Sequence, residues 1–264
     1  MKITAVQLDI AWENKPANHQ KVRALLEQAH PETGSLVLLP EMFATGFSMN
    51  VATITECHSR QTLTFLSDTA RHLGIFLMGG IVTHDRDGVG RNEAAIFSPD
   101  GTELHRYAKM QPFTLGGESD HYAPGPCVTT FRCNDFTVAP FICYDLRFPE
   151  LFRLATRRGA TLLTVIANWP IARVEHWTTL LRARAIENLA YVVGVNRVGT
   201  DPKLTYPGRS LIIDPKGNVL ADAGDRECTI AADVDARLVH DWRRDFPALT
   251  DIRPDCFPAD DGGA

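Results

Sequence analysis

Apolar and polar positions follow two patterns along the first half of the chain. Short apolar runs alternate with longer amphipathic segments, the pattern of strands alternating with helices. We predict strands at 3–10, 35–40 and 74–82, helices at 16–30 and 59–73, and a turn at 85–92 that makes 92–101 the hairpin partner of the third strand. The run 35–40 is continuously apolar, which is typical of a strand covered on both faces.

The second half repeats this order. We predict strands at 136–145, 161–170, 190–199, 209–215 and 227–235, helices at 149–159 and 174–189, and a linker at 216–224. The repeat indicates a loose internal duplication and an α/β fold in which two mixed sheets pack face to face with helices outside each. We assign 1–264 to one domain and expect its turn-rich tail, from about Leu238 to the final PADDGGA, to fray.

Composition narrows the possible functions. With 44% hydrophobic residues, 264 positions suffice for one large core. A net charge of −5 argues against a nucleic acid partner, and no apolar run approaches the roughly 20 residues that cross a bilayer. The N-terminal MKITAVQLDI alternates like a strand and does not resemble a signal peptide. We therefore expect a cytoplasmic protein with no membrane partner.

Local motifs exclude several kinds of site. The six cysteines form no C-x-x-C pair and no histidine stands at zinc-finger spacing, so we expect free thiols, no metal and no cofactor. The glycine-rich stretch GGESDHY lacks the phosphate-loop pattern, and no G-x-S-x-G occurs. These absences argue against a phosphate-loop nucleotide site and against a serine hydrolase of the α/β type.

Polar residues stand where predicted strands end, which is where α/β sheets bind ligands. Glu41 and Cys143 each follow an apolar strand, Asn168 and Trp169 open the loop after another, and Lys109 follows a strand-and-turn segment. Taken alone, each has an ordinary interpretation: a surface carboxylate, a small core thiol, a ring packed on a loop, and a solvated ammonium.

Together these residues stand in motifs that resemble those of the nitrilase superfamily of carbon–nitrogen hydrolases. The motifs are LPEMFATGF, KMQPF and CYDLRFPEL, in the order Glu, Lys, Cys, followed by ANWP, HW, LLRARAIENLAYVVGVNRVG and GRSLIIDPKGNVL. The resemblance runs from Met1 to about Asp235. It implies a four-layer α-β-β-α sandwich, commonly dimeric. The pattern NWP-x-x-R-x-x-HW is most similar to the omega-amidase branch, whose members hydrolyse the terminal amide of 2-oxoglutaramate and 2-oxosuccinamate.

The resemblance also implies a role for each residue of the site. Cys143 matches the nucleophile that forms a thioester, and Glu41 matches the general base. Lys109 matches the cation that stabilises the oxyanion, assisted by the backbone N–H of Tyr144. Glu118 matches a second carboxylate that orients Lys109 and the substrate amide. Because a neighbouring ammonium favours a thiolate and a neighbouring carboxylate can accept the thiol proton, we expect the sulfur of Cys143 to be ionised in this site.

Substrate contacts are predicted on chemical grounds. Arginine binds a carboxylate through paired hydrogen bonds, which makes Arg147 and Arg173 candidates for the far end of a 2-oxo dicarboxylate monoamide. Phe43 and Trp169 are candidates for the apolar wall. The segment RARAIENLAYV carries more apolar residues than one core needs, so we expect a homodimer face there.

Several alternatives stay open at this point. Arg147 could instead pair with Asp145 or Glu150, and Glu118 could be a solvated loop residue. The protein could be another aliphatic or carbamoyl amidase, a nitrilase, or a non-catalytic binding protein on the same fold. A redox role for the thiol would need a resolving partner, and Cys133 stands ten residues away along an extended strand.

Overall fold

The computed structural model describes residues 1–253, which contain fourteen strands. In chain order these are β1 (Lys2–Gln7), β2 (Leu36–Leu38), β3 (Phe76–His84), β4 (Gly90–Phe97), β5 (Glu103–Ala108), β6 (Phe131–Cys133), β7 (Phe136–Ile142), β8 (Leu162–Ala167), β9 (Tyr191–Asn196), β10 (Val198–Thr200), β11 (Thr205–Pro207), β12 (Leu211–Ile213), β13 (Val219–Asp222) and β14 (Cys228–Asp233).

Twelve of these strands form two six-stranded mixed sheets with matching topology. The first has the order β14-β1-β2-β3-β4-β5 and the second the order β13-β12-β9-β8-β7-β6. In each sheet three neighbouring strands are parallel, β1 to β3 or β7 to β9, and the remaining pairs are antiparallel. The internal duplication is therefore confirmed at the level of topology. Strands β10 and β11 form a separate hairpin.

Six helices accompany the sheets in the described residues: α1 (Lys15–Ala29), α2 (Val51–Ile54), α3 (Gln61–Leu73), α4 (Pro149–Arg157), α5 (Val174–Asn188) and α6 (Ala236–Asp245). None of these helices combines the length and the apolar character that a membrane span requires.

The sheets bury both of their faces, which explains the continuous apolar runs. Ile3 of the first sheet and Phe141 of the second belong to one core cluster between the sheets. Val37 of β2 faces the other way and packs in a second cluster with Val22 of α1 and Leu66 of α3. Helices α4 and α5 contact each other, and α5 contacts β9 of the second sheet. The predicted α-β-β-α sandwich is confirmed.

Two sequence-based boundaries were wrong. Residues 216–224 are more than a linker, because β13 lies within them and completes the second sheet. The turn-rich tail does not begin at Leu238, because α6 continues to Asp245. The guanidinium of Arg243 donates to the backbone oxygens of Ala160 at 2.8 Å and Leu189 at 3.1 Å, which fastens this helix to the domain. The final PADDGGA lies outside the described residues.

Candidate active site

The strand exits named above meet at one edge of the sandwich. Glu41 follows β2, Lys109 follows β5, Cys143 follows β7 and Asn168 follows β8. Strand β5 runs in the same direction as β2, because the two antiparallel pairings after β3 restore the direction. The backbone N–H of Asn168, from the second sheet, donates to Oε2 of Glu41, from the first, at 2.7 Å. The site therefore lies between the two sheets.

Glu41 is fully buried and held by fixed donors. Its Oε1 accepts from Lys109 Nζ at 3.0 Å and from Asn92 Nδ2 at 2.7 Å, and Asn168 donates to Oε2. Gly80 of β3 leaves room for the turn, because a Cβ there would lie 2.6 Å from Glu41 Cα. The surface interpretation of this carboxylate was wrong.

Glu118 is also fully buried, so its interpretation as a solvated loop residue was wrong. Its Oε2 accepts from Lys109 Nζ at 2.7 Å and from the N–H of Phe113 at 2.6 Å, and its Oε1 accepts from Asn92 Nδ2 at 2.8 Å. The ammonium of Lys109 thus lies between two carboxylates. Burial alone would lower the pKa of Lys109, but Glu41 and Glu118 together raise it above its ordinary value, so Lys109 is charged.

Asn92 links the two carboxylates, and sequence reasoning missed it. One amide nitrogen donates to both Glu41 and Glu118. The available signal was a polar side chain at the start of the strand pattern NEAAIF, which hairpin turns also contain. Asn168 was noticed at a strand exit but was not assigned a role.

Cys143 begins a 3₁₀ turn, Cys143–Arg147, directly after β7. Its φ of +47° is uncommon for a residue with a side chain and turns the backbone sharply at the strand end. The half-buried sulfur lies 4.0 Å from the carbonyl oxygen of Asn168. Burial raises the pKa of the thiol, Glu41 and Glu118 raise it further, and Lys109 only partly opposes them. Burial first and the two carboxylates second therefore oppose the expected ionisation of this sulfur, and the single ammonium does not offset them.

A cleft opens at this thiol and contains most of the predicted substrate contacts. Tyr144, Arg147, Trp169 and Arg173 line it with Cys143. The sequence did not single out four further apolar or aromatic lining residues, namely Phe47, Phe113, Leu204 and Tyr206.

Both predicted arginines lie over aromatic rings. The guanidinium carbon of Arg147 is 4.8 Å from the ring centroid of Trp169, and its Nη2 lies 3.2 Å from His176 Nδ1. The guanidinium carbon of Arg173 is 5.4 Å from the ring centroid of Phe113. Asp145, the suggested ion-pair partner of Arg147, is instead fully buried and hydrogen-bonded elsewhere.

Phe43 was wrongly predicted to line the cleft. It is fully buried, its ring centroid lies 5.9 Å from that of His19 and 6.1 Å from that of Phe65, and it belongs to the core beneath the helices of the first sheet. Met42, between Glu41 and Phe43, has a φ of +44° in the turn that follows β2. Glu41 lies in the site, whereas Phe43 lies in the core. Phe47 lies at the cleft instead, with Lys109 Nζ 5.4 Å from its ring centroid.

Among residues 1–253, no three His, Cys, Asp or Glu side chains are placed to hold a metal ion together. Cys133 is buried, and burial raises the pKa of its thiol to about 12. The arrangement at the cleft therefore offers a thiol, a fixed proton acceptor and a fixed cation, which suit nucleophilic attack on a carbonyl carbon.

Comparison with known proteins agrees with this geometry. The carbon–nitrogen hydrolase family profile matches residues 2–244. The chain is 33% identical to a 2-oxoglutaramate amidase from Bacillus subtilis (strain 168), over 97% of this chain and 98% of that protein. It is 38% identical to omega-amidase YafV from Yersinia enterocolitica, over 95% of this chain and 96% of that protein.

A solved structure shows the same fold at similar identity. A CN-hydrolase superfamily protein from Xanthomonas campestris, with an arsenic adduct in its active site, has a TM-score of 0.88 and 34% identity, covering 96% of this chain and 97% of that one. The family profile spans both sheets and all four strand exits that form the site. This chain therefore belongs to the carbon–nitrogen hydrolase family, as the nitrilase-like motifs predicted.

Proposed function

We propose that this protein hydrolyses the terminal amide of a 2-oxo dicarboxylate monoamide, such as 2-oxoglutaramate or 2-oxosuccinamate, to the 2-oxo acid and ammonia. The observation that carries the proposal is a thiol with a buried carboxylate–ammonium cluster at one end of a cleft that also holds two arginines. The curated relatives named omega-amidase and 2-oxoglutaramate amidase support the same substrate class.

Acylation begins with a neutral thiol. Glu41 accepts the proton of Cys143 as the sulfur attacks the amide carbon, so ionisation and attack are coupled. The developing oxyanion is stabilised by the ammonium of Lys109 and by the N–H of Tyr144. Glu41 then delivers the proton to the departing nitrogen, which leaves as ammonia, and the acyl group remains on sulfur as a thioester.

Deacylation uses the same groups. Glu41 removes a proton from water, whose oxygen attacks the thioester carbon, and the oxyanion again faces Lys109. The carbon–sulfur bond breaks, the thiol recovers its proton and the 2-oxo acid leaves. Glu118 and Asn92 keep Lys109 and Glu41 in place during both steps through the hydrogen bonds described above.

The acyl part of the substrate is assigned to the cleft. Its carboxylate lies near Arg147 or Arg173, whose guanidinium groups supply paired donors. Trp169 forms the apolar wall, and Phe47 and Phe113 replace Phe43 in that role.

The proposal is tested by ammonia release from 2-oxoglutaramate, glutamine and a simple nitrile. We expect 2-oxoglutaramate to have the highest kcat/KM, and Cys143→Ala to be folded and inactive. A higher kcat/KM for another aliphatic amide or for the nitrile would instead assign this protein the corresponding amidase or nitrilase activity. No release from any substrate would favour a binding protein, and hydrolysis by Cys143→Ala would exclude the cysteine mechanism.

We further infer a cytoplasmic homodimer. The five cysteines in the described residues are free thiols, as is usual in reducing compartments. Most apolar side chains of RARAIENLAYV pack inside this chain, but Ile186 is 50% exposed and shares a surface depression with Val219, which is 44% exposed. These two residues of α5 and β13 are the proposed centre of the dimer face.

A further inference from the structure

Asp145 is a fully buried carboxylate beneath the site, and the mechanism above does not use it. Its Oδ2 accepts from the hydroxyl of Tyr107 at 2.8 Å and from the N–H of Ile142 at 2.9 Å, and its Oδ1 accepts from the N–H of Gln111 at 2.9 Å. Burial raises the pKa of Asp145 to about 7, and its three hydrogen bonds together with Lys109 favour the charged form. Above this pH the carboxylate binds such donors more strongly than a neutral acceptor would.

The three donors flank the two reacting side chains in the sequence. Tyr107 and Gln111 stand two positions before and two positions after Lys109, and Ile142 directly precedes Cys143. Asp145 therefore binds a side chain just before the cation in the sequence, the backbone just after it, and the backbone just before the nucleophile.

Strand pairing cannot fix the distance between these two groups. Lys109 follows β5, at the edge of the first sheet, and Cys143 follows β7, in the second sheet. No ladder hydrogen bond joins those strands in the described topology. The bonds of Asp145 to Tyr107 and Gln111 cross from one sheet to the other at this point.

We propose that Asp145 is a positioning residue that sets the separation between the ammonium of Lys109 and the sulfur of Cys143. It touches neither the substrate nor the reacting atoms. Its effect on turnover rests on the proposed amidase function, whereas its effect on the thiol does not.

The test compares Asp145→Asn with the wild type in two assays. Asparagine keeps the shape but directs an NH₂ group at one set of donors, so at least one of the three bonds is lost. We expect kcat for 2-oxoglutaramate to fall about 10- to 100-fold with KM nearly unchanged, because misplaced oxyanion support affects only the transition state. We also expect the pH midpoint for alkylation of Cys143 by iodoacetamide to move: upward if Lys109 recedes from the sulfur, downward if the carboxylates recede.

Two tyrosine variants make the test independent of Asp145→Asn folding. Tyr107→Phe removes one donor and should change kcat and the alkylation midpoint in the same direction by a smaller amount. Tyr191→Phe is the matched control, because this buried phenol accepts a hydrogen bond from the N–H of Asp235 at 3.3 Å, at the other end of β9 from the site. It should leave both quantities unchanged.

An unchanged alkylation midpoint in Asp145→Asn, or in Tyr107→Phe if the first variant does not fold, would overturn the proposal. So would a lower melting temperature with wild-type kcat per folded enzyme, which indicates a merely structural role. A wild-type protein inactive on the amide would refute the proposed function, and the alkylation comparison would still decide the role of Asp145.

Discussion

Three charged side chains affect the pKa of the Cys143 thiol, and their effects do not cancel. Burial and the carboxylates of Glu41 and Glu118 raise the pKa of this thiol by more than Lys109 lowers it. The thiol is therefore protonated near neutral pH and becomes a nucleophile only as its proton leaves. A buried base held by fixed donors suits this requirement, because it needs no reorganisation during attack.

Removing one carboxylate charge should make the thiol more acidic. In Glu41→Gln the ammonium of Lys109 remains while one negative charge is lost, so the alkylation midpoint of Cys143 should fall by about one pH unit or more. Peptide mass spectrometry at different pH values measures it. Hydrolysis should nevertheless be lost, since the proton acceptor is gone.

A matched control is Glu93→Gln. This residue adjoins Asn92 in β4 but faces the opposite side of the sheet and pairs with Arg106 at 3.2 Å. It should leave the midpoint of Cys143 unchanged. A midpoint that rises or stays constant in Glu41→Gln would contradict the charge balance described here.

The arginine contacts give a second prediction at this scale. Losing a charge-assisted pair costs about 1.5–3 kcal/mol, so Arg173→Ala should raise KM for 2-oxoglutaramate about 10- to 100-fold. KM for a neutral aliphatic amide should change little. Arg147→Ala is measured in parallel, and exposed Arg132 on β6 supplies the control. Equal effects of Arg173→Ala on both substrates would remove Arg173 as the carboxylate contact.

Hairpin β10–β11 is one of the elements that the sequence pattern did not predict. Its strands have three residues each, too few for a periodic pattern. Local contacts hold it in place: the Arg197 guanidinium carbon lies 4.4 Å from the ring centroid of Tyr206, and Asp201 Oδ1 accepts from the N–H of Leu204 at 2.7 Å. The hairpin brings Leu204 and Tyr206 to the cleft.

This hairpin should limit the length of the acyl chain. Leu204→Ala opens the cleft wall, so kcat/KM for a monoamide one methylene longer than 2-oxoglutaramate should rise relative to that substrate by about threefold or more. Competition kinetics measure the ratio. Leu220→Ala on β13 is the control, because Leu220 is 44% exposed and Leu204 is 45% exposed. This variant should leave the ratio unchanged. An unchanged ratio in Leu204→Ala would show that the hairpin does not select chain length.

At the scale of the whole molecule, the exposed apolar residues of α5 and β13 predict how two chains meet. Ile186→Glu places a charge at the proposed face, where it would have to lose its hydration, so a dimeric wild type should become monomeric. Light scattering after gel filtration measures the mass. Leu238→Glu on α6, where the leucine is 38% exposed, is the control and should stay dimeric. A dimer that survives Ile186→Glu, or a monomeric wild type, would contradict the assignment.

Strand and helix order, the duplication and the positions of Glu41, Lys109 and Cys143 were predictable from the sequence. Apolar periodicity reports burial directly, and motif order reports the family. Arg147 and Arg173 were also predicted to lie near the nucleophile. The side of the chain to which Phe43 turns was not, because residues 41–45 form a turn with a positive φ at Met42, where strand alternation does not apply.

By itself, the sequence determined which residues could do chemistry and which segments would be buried, because residue type and periodicity are local properties. Only the tertiary structure decided which groups share the site: Asn92, Asn168 and the hairpin come from distant parts of the chain, and no local pattern shows that they meet. The protonation state of Cys143 was likewise decided in three dimensions. It depends on burial and on the sum of charges from both sheets, and a sequence shows each charge without its distance from the sulfur.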